Sequence, residues 1–351
     1  DSVIFVPTYS KTNSVTKDYL VNDINRLVNV YIKPLPDNVL YSIVLDDIPD
    51  SSLITLDIET TGLEWRTDSI TSIQIAIGHS QLYYIDKPTN DWIRSLYLAL
   101  QSKGCTIIGH NLIFDLSFLS VASGDDWFEL KLVDTMLLSK ARGHKHNSLK
   151  HLASMYNLAY HPLSYKEHGA YNQAYAMADV LATYELYTLY AHKLRTIDYL
   201  SIDSLKTFGK ARLAGIYVNR DKLDIVHKQL SEELQTLEDT LHDYAAINWQ
   251  ANADVAKVLK VNGVPLKDKT ASGAYSVSVQ ALEPFRESYP IVDTILQYRK
   301  LSKLLKGFVV DFVDKTTDNP YLYPTMEVLG TSTGRTSCHS PNIQQFPSSV
   351  K

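Results

Sequence analysis

The run Ser52-Leu53-Ile54-Thr55-Leu56 is mostly apolar, continues into Asp57-Ile58-Glu59, and is closed by Thr60-Thr61-Gly62-Leu63. A run of that length before a Gly turn predicts a buried strand over Leu53–Ile58. The stretch Ile70–Ile77 alternates apolar and polar positions up to Gly78, predicting a second strand, and Gln81–Ile85 a third. Helical spacing predicts a helix over Trp92–Gln101, then a short strand Cys105–Gly109 and a helix Leu112–Val121. Further helices are expected at Thr135–Arg142, Ser148–Tyr156 and Ala174–Arg195. Strands followed by mixed helices and a strand predict an α/β domain with a mixed central sheet.

Beyond about Ile197 the pattern becomes helical. Leu223, Val226, Leu230, Leu234, Leu237 and Leu241 recur at three- and four-residue steps, predicting a long helix over Asp221–Tyr244. Asn248–Gly273 reads as a shorter helix with loops, Ile291–Phe312 as another long helix, and Tyr323–Leu329 as a strand. The expected division is a lead-in at 1–50, broken by Pro7, Pro34, Pro36 and Pro49, then domains at 51–196, 197–320 and 321–351.

Composition narrows the function classes. With 45% hydrophobic residues, 21% charged and no apolar run near the roughly 18 residues of a membrane span, a globular fold without a membrane partner is expected. The net charge of −5 excludes a polycation, so contact with nucleic acid would need local basic patches and metal ions. Two distant cysteines, Cys105 and Cys338, suit a reducing, intracellular setting. The histidines His144, His146, His151, His161 and His168 lack the tight spacing of a zinc site.

Candidate chemistry comes from acidic residues. On a strand Asp57 and Glu59 point to one face, where they repel unless a cation lies between them. Asn111 and Asp115, four apart in the next segment, are expected on one helix face, as are Tyr175 and Asp179 on a later helix. Carboxylates at Asp57, Glu59, Asp115 and Asp179 could hold two Mg²⁺ ions roughly 3.5–4 Å apart, clamping the attacking and leaving oxygens of a phosphodiester. The Tyr175 hydroxyl would orient the attacking water. Any one of these motifs has a bland reading as a cap or a solvated face; their conjunction in order carries the weight.

These segments resemble the motifs of the DEDD exonuclease superfamily, in its Tyr-bearing branch, which implies a ribonuclease-H-like fold. The resemblance implies that Asp57, Glu59, Asp115 and Asp179 are ligands of two divalent cations, Mg²⁺ or Mn²⁺. It also implies that Tyr175 positions the water, Leu63 wedges against the terminal base and Asn111 contacts the substrate strand. Asp134-Thr135-Met136-Leu137 matches a family pattern too, although Asp134 reads equally well as a helix cap.

The last third resembles family A DNA polymerases. Ile295–Leu304 is similar to a thumb helix, and Thr331–Ser337 with Pro341–Pro347 is similar to the signature that opens the palm; Cys338 replaces the second of two serines after the Arg position. By that resemblance Arg335, Asn342 and Gln344 touch primer–template duplex. Arg299, Lys300, Lys303 and Lys306 have no acidic residue among them and would meet phosphates, with Lys257, Lys260, Lys267 and Lys269 at the thumb tip.

In that family the palm aspartates and fingers helix lie downstream of the matched signature. The expectation is therefore a proofreading 3′–5′ exonuclease acting on single-stranded 3′ ends of DNA. It would be incapable of polymerisation without a separate C-terminal half carrying palm and fingers. The alternatives are a stand-alone 3′–5′ exonuclease on DNA or RNA, and a non-catalytic DNA-clamping subunit. The setting implied is the cytoplasm of a bacterial or virus-infected cell, or another intracellular DNA-containing compartment.

Overall fold

The computed structural model describes residues 38–160, 173–331 and 333–346, apart from the side chains of 174 and 175. It divides into two compact units: one takes the chain to Leu213 together with Met326–Ser337, and the other takes Ala214–Thr325 together with the residues from Cys338.

The first unit is built on a six-stranded sheet. Its strands are β1 (Val39–Leu40), β2 (Leu53–Thr60), β3 (Ile70–Ile77), β4 (Gln81–Asp86), β5 (Thr106–Gly109) and β6 (Lys131–Asp134), in the order β1-β4-β3-β2-β5-β6. β2, β3 and β4 are antiparallel neighbours; β2, β5 and β6 are parallel. The mixed sheet expected from the apolar runs is present, with β1 and β6 as additional outer strands.

Helices α1 (Asn90–Ser102) and α2 (Leu112–Ser123) pack on each other and bury Ile93, Leu96 and Leu100 with Leu112, Leu116 and Leu119. They are followed by α3 (Thr135–Ala141), α4 (Leu149–Tyr156) and α5 (Gln173–Ala191). α5 lies on β2, β3 and β5, and its Met177, Val180 and Leu181 join Ala76, Leu82 and Leu152 in one core cluster.

The helix expected to run to Arg195 ends at Ala191, and a separate helix α6 spans Thr196–Ala214. The break is fixed by a buried carboxylate. Asp198 accepts from the Arg195 backbone N–H at 2.9 Å and pairs with Arg142 at 3.2 Å and with Arg195 at 3.4 Å. Further along α6, Gly209 lies flat against Phe128; a Cβ there would overlap the ring.

The second unit is mainly helical. α7 (Arg220–His242), α8 (Asn252–Val261), α9 (Val279–Leu282) and α10 (Pro290–Leu304) enclose Leu234, Leu241, Trp249, Leu259, Val292 and Ile295. The long helix expected over Ile291–Phe312 is interrupted. Residues Leu305–Val309 form a π-helical step between α10 and α11 (Val310–Lys315). Phe346 stacks on Phe312 at 5.1 Å between ring centres and meets Phe308 edge-on at 5.7 Å. Strands β7 (Ile216–Tyr217) and β8 (Tyr321–Leu322) of this unit pair antiparallel; the region expected as one strand over Tyr323–Leu329 holds β9 (Thr325–Glu327), most of which belongs to the first unit's Met326–Ser337 segment. A last strand, β10, spans Ser337–His339. No helix among the described residues is long and apolar enough to cross a membrane.

One side chain ties two helix starts to the sheet. The buried Asp134 carboxylate ends β6 and accepts from the backbone N–H groups of Asn111 (3.2 Å), Leu112 (2.8 Å), Met136 (2.8 Å) and Leu137 (3.1 Å). It therefore caps α3 and holds the entry of α2, satisfying donors that would otherwise be orphaned. Replacing Asp134 with Ala should destabilise the protein by at least about 2 kcal/mol, since cap loss and unpaired buried donors add. The urea midpoint of the first unit's unfolding, followed by tryptophan fluorescence, would measure the loss.

Candidate active site

The pairing of β2 with β5 runs from Leu53 opposite Thr106 to Thr55 opposite Ile108 and stops there, while β2 continues to Thr60. Parting parallel strands leave backbone donors unpaired beyond the last rung. The Ile58 N–H is taken up by the buried Asp115 carboxylate at 3.2 Å. Asp115 is reached from α2, just after β5, so this bond pins the helix to the strand that carries Asp57 and Glu59.

Asp57 and Glu59 flank Ile58 and share the sheet face covered by α5, which brings Asp179. The Asp57 carboxyl is pushed well above the ordinary carboxylate value, first by burial, then by the charges of Asp115, Asp179 and Glu59. The charges named as raising it are all those of neighbouring carboxylates. Burial also raises Asp115 well above that value, opposed by its backbone hydrogen bonds and reinforced by Asp134 and Glu59. Among the described residues no group of three His, Cys, Asp or Glu side chains is drawn into a ready-made cation cage.

Tyr175 falls on α5 with Asp179, and its side chain lies outside the described residues. Leu63 is 82% exposed at the tip of a braced turn. Asp68 accepts there from the Thr61 hydroxyl at 3.1 Å and the Glu64 N–H at 2.8 Å, and the Thr60 hydroxyl donates to Gly62 O at 2.6 Å.

Asn111 differs from its expected place. It is not on the face of α2 with Asp115 but precedes the helix, with a φ of 73°, a left-handed conformation that Asn tolerates better than most residues. The grip of Asp134 on the Asn111 and Leu112 N–H groups sets this start.

Arg299 also departs from its expected role as a phosphate contact. Its guanidinium turns into the second unit and donates to Trp249 O at 3.1 Å and Val277 O at 3.0 Å. Burial lowers its pKa. Lys300 and Lys303 on the same helix are exposed, as is Lys306 in the π-helical step. Lys260 sits 3.7 Å over the Tyr275 ring and Lys269 5.6 Å from it. Arg335 is exposed within the first unit's C-terminal segment. In the second unit Asn342 caps a short turn by accepting from the Gln345 N–H at 3.3 Å, and Gln344 is exposed.

Two groups near the site were not singled out in the sequence. His110 is held between Thr135 Oγ1 (2.9 Å) and Asn147 O (2.8 Å), and burial lowers its pKa. Arg212 of α6 lies 5.9 Å from the ring of buried Trp65, two residues from Leu63. A His directly after the strand at Gly109 was the available signal for the first; nothing local marks the second. Of the histidines weighed as zinc ligands, His144 bonds the Tyr156 hydroxyl at 2.7 Å and His146 lies 5.2 Å from His151, ring to ring; His161 and His168 lie outside the described residues.

Residues 37–195 match the family model described as 3′–5′ exonuclease, and residues 220–351 match that of DNA polymerase family A. The chain thus carries a 3′–5′ exonuclease domain followed by a segment similar to DNA polymerase family A. DNA polymerase I of Borreliella burgdorferi is 22% identical over 93% of this chain, and that of Aquifex aeolicus 26% identical over 85%. DNA polymerase I of Bacillus subtilis is 29% identical over 44%. The chain spans 39%, 55% and 18% of these relatives, respectively. The POL domain of Pol1 from M. smegmatis, solved with DNA primer-template and dNTP, aligns with a TM-score of 0.69 at 20% identity. That alignment covers 85% of this chain and 53% of that one and shows a shared fold, in keeping with a ribonuclease-H-like exonuclease domain followed by a mainly helical region.

A raised carboxyl pKa has a consequence for stability. Asp57 holds its proton more tightly folded than unfolded, so its contribution is present below the ordinary value of 3.8 and is lost as pH rises through the folded value. In cation-free buffer with a chelator, Asp57→Asn should therefore raise the melting temperature at pH 7, with the gain shrinking as pH falls toward 3.8. Thermal unfolding of both proteins across that range would check it.

Proposed function

We propose that this chain hydrolyses the 3′-terminal phosphodiester of single-stranded or frayed DNA, releasing nucleoside monophosphates, as the proofreading part of a family A polymerase. The observation that carries the reading is the convergence of acidic side chains on one strand end: Asp57 and Glu59 share the face of β2 covered by the helix that bears Asp179, and Asp115 bonds the Ile58 N–H between them. Such a cluster is costly unless it serves a cation. All-oxygen donors suit hard divalent ions, so Asp57, Glu59, Asp115 and Asp179 would hold two Mg²⁺ or Mn²⁺. When bound, the ions supply charge neutralisation at the scissile phosphate and a water activated for attack.

The residues of this chain do the rest. Asp115 is kept in place by the Ile58 N–H, so its carboxylate cannot swing away from the strand. Tyr175 is assigned to orient the attacking water. The braced turn presents Leu63 as a fixed apolar edge to the terminal base, and Asn111 faces the substrate strand.

Lys300, Lys303, Arg335, Asn342 and Gln344 are assigned to primer–template duplex, and Arg299 is withdrawn from that set. The functional division follows the boundaries 51–196, 197–320 and 321–351 after a lead-in at 1–50. A DNA substrate implies a DNA-containing intracellular compartment.

With Mg²⁺ or Mn²⁺ the chain should shorten a 5′-labelled oligonucleotide from its 3′ end, and chelation should stop it. Asp57→Ala or Asp179→Ala should cut the rate by about 10²–10³-fold or more. Undiminished cleavage by either variant would defeat the site assignment. Lys300→Ala and Lys303→Ala should each lower the salt dependence of duplex binding by about one unit of slope, uniformly across sequences. Titrations at several salt concentrations would read this.

A further inference from the structure

The antiparallel register of β2 and β3 sets Asp57 opposite Gln74 and Glu59 opposite Ser72. Directly opposed residues project to the same side of a sheet, with Cβ atoms about 4.5–5.5 Å apart. Gln74 and Ser72 therefore lie on the carboxylate face beneath α5, and both are fully buried, at 0% and 1% exposure. The Gln74 amide donates from Nε2 to Ser72 Oγ at 2.7 Å. Its other polar atom, Oε1, is buried and has no hydrogen-bond partner.

An unsatisfied amide in a core is costly, by about 1–3 kcal/mol, and an apolar residue of similar size would avoid the cost. The neighbours on this face explain what it can serve. The Ser72 hydroxyl can donate as well as accept, so the amide can turn over and keep its Ser72 bond. Turned over, it would offer N–H₂ where Oε1 now stands, on the sheet face it shares with the cross-strand Asp57.

We propose that Gln74, held by Ser72, is the positioning residue for Asp57: it donates to the ionised carboxylate and fixes its rotamer for a divalent cation. Gln74 does not touch the ion; it acts through Asp57, as outer partners of metal-ligating side chains do. This rests on the carboxylates serving a cation, as argued above.

The test reads cation binding without DNA, as the Mg²⁺- and Mn²⁺-dependent rise in melting temperature of the full chain. In Gln74→Leu the cation concentration at half-maximal rise should increase about 10–100-fold, the range seen for such outer partners. Ser72→Ala, which frees the amide from its anchor, should give a smaller rise in the same direction. If Gln74→Leu does not fold, Gln74→Asn, too short by one methylene to reach both partners, carries the same expectation. A merely structural Gln74 would lower the melting temperature of the cation-free protein but leave the midpoint of the cation titration within twofold, and that result would overturn the proposal. Asp57→Ala separates the two readings. If it abolishes the cation-dependent rise while Gln74→Leu keeps the parental midpoint, the cation site stands and the role of Gln74 falls. If the parent shows no rise, or Asp57→Ala retains it, both fall.

Discussion

A carboxylate buried beside other carboxylates pushes the fold apart, and this structure accepts that penalty at the end of its central strand. Asp57 is raised by burial and by three like charges. Everything around it can be read as containment. Asp115 is restrained by a backbone N–H of β2 itself, which offsets part of its own desolvation. The sheet holds Asp57 and Glu59 two residues apart on one face, and α5 lays Asp179 over them.

The opening that admits these groups follows from strand pairing. β5 has four residues and turns away into α2 after Gly109, whereas β2 has eight. The excess length of β2 projects beyond the parallel pair, and the N–H that would have met β5 meets Asp115 instead. Asp134 repeats the device one strand over, where its carboxylate gathers the N–H groups at the entries of α2 and α3. A carboxylate at a strand end thus substitutes for the missing rung in each case.

The alternation in Ile70–Ile77 and the apolar run before Asp57 were legible because strand and helix periods differ. What escaped was set by partners far along the chain. The polar positions of β3 look like a solvent face in the sequence, yet α5 covers Ser72 and Gln74 completely. No Pro or Gly marks the break between α5 and α6; Arg142, over fifty residues upstream, secures it through Asp198. Arg299 carries the right charge for a phosphate contact, but its partners are carbonyls 50 and 22 residues away. The metal-type residues were legible as a set because their spacing within each motif is local. Asn111 was misplaced by one residue because its φ is dictated by Asp134 from the neighbouring strand.

The π-helical step at Leu305–Val309 changes the phase of everything after it. Each residue of an α-helix advances about 100° around the axis, so an extra residue in one turn rotates the downstream face by that amount. With the step in place, Phe308 and Phe312 both meet Phe346. Deleting a single residue from Leu305–Val309 would rewind the helix and carry Phe312 off that ring, while substitutions that keep the length would not. The number of residues in this stretch sets the phase of α11, which makes Leu305–Val309 a spacer between α10 and the aromatic contact.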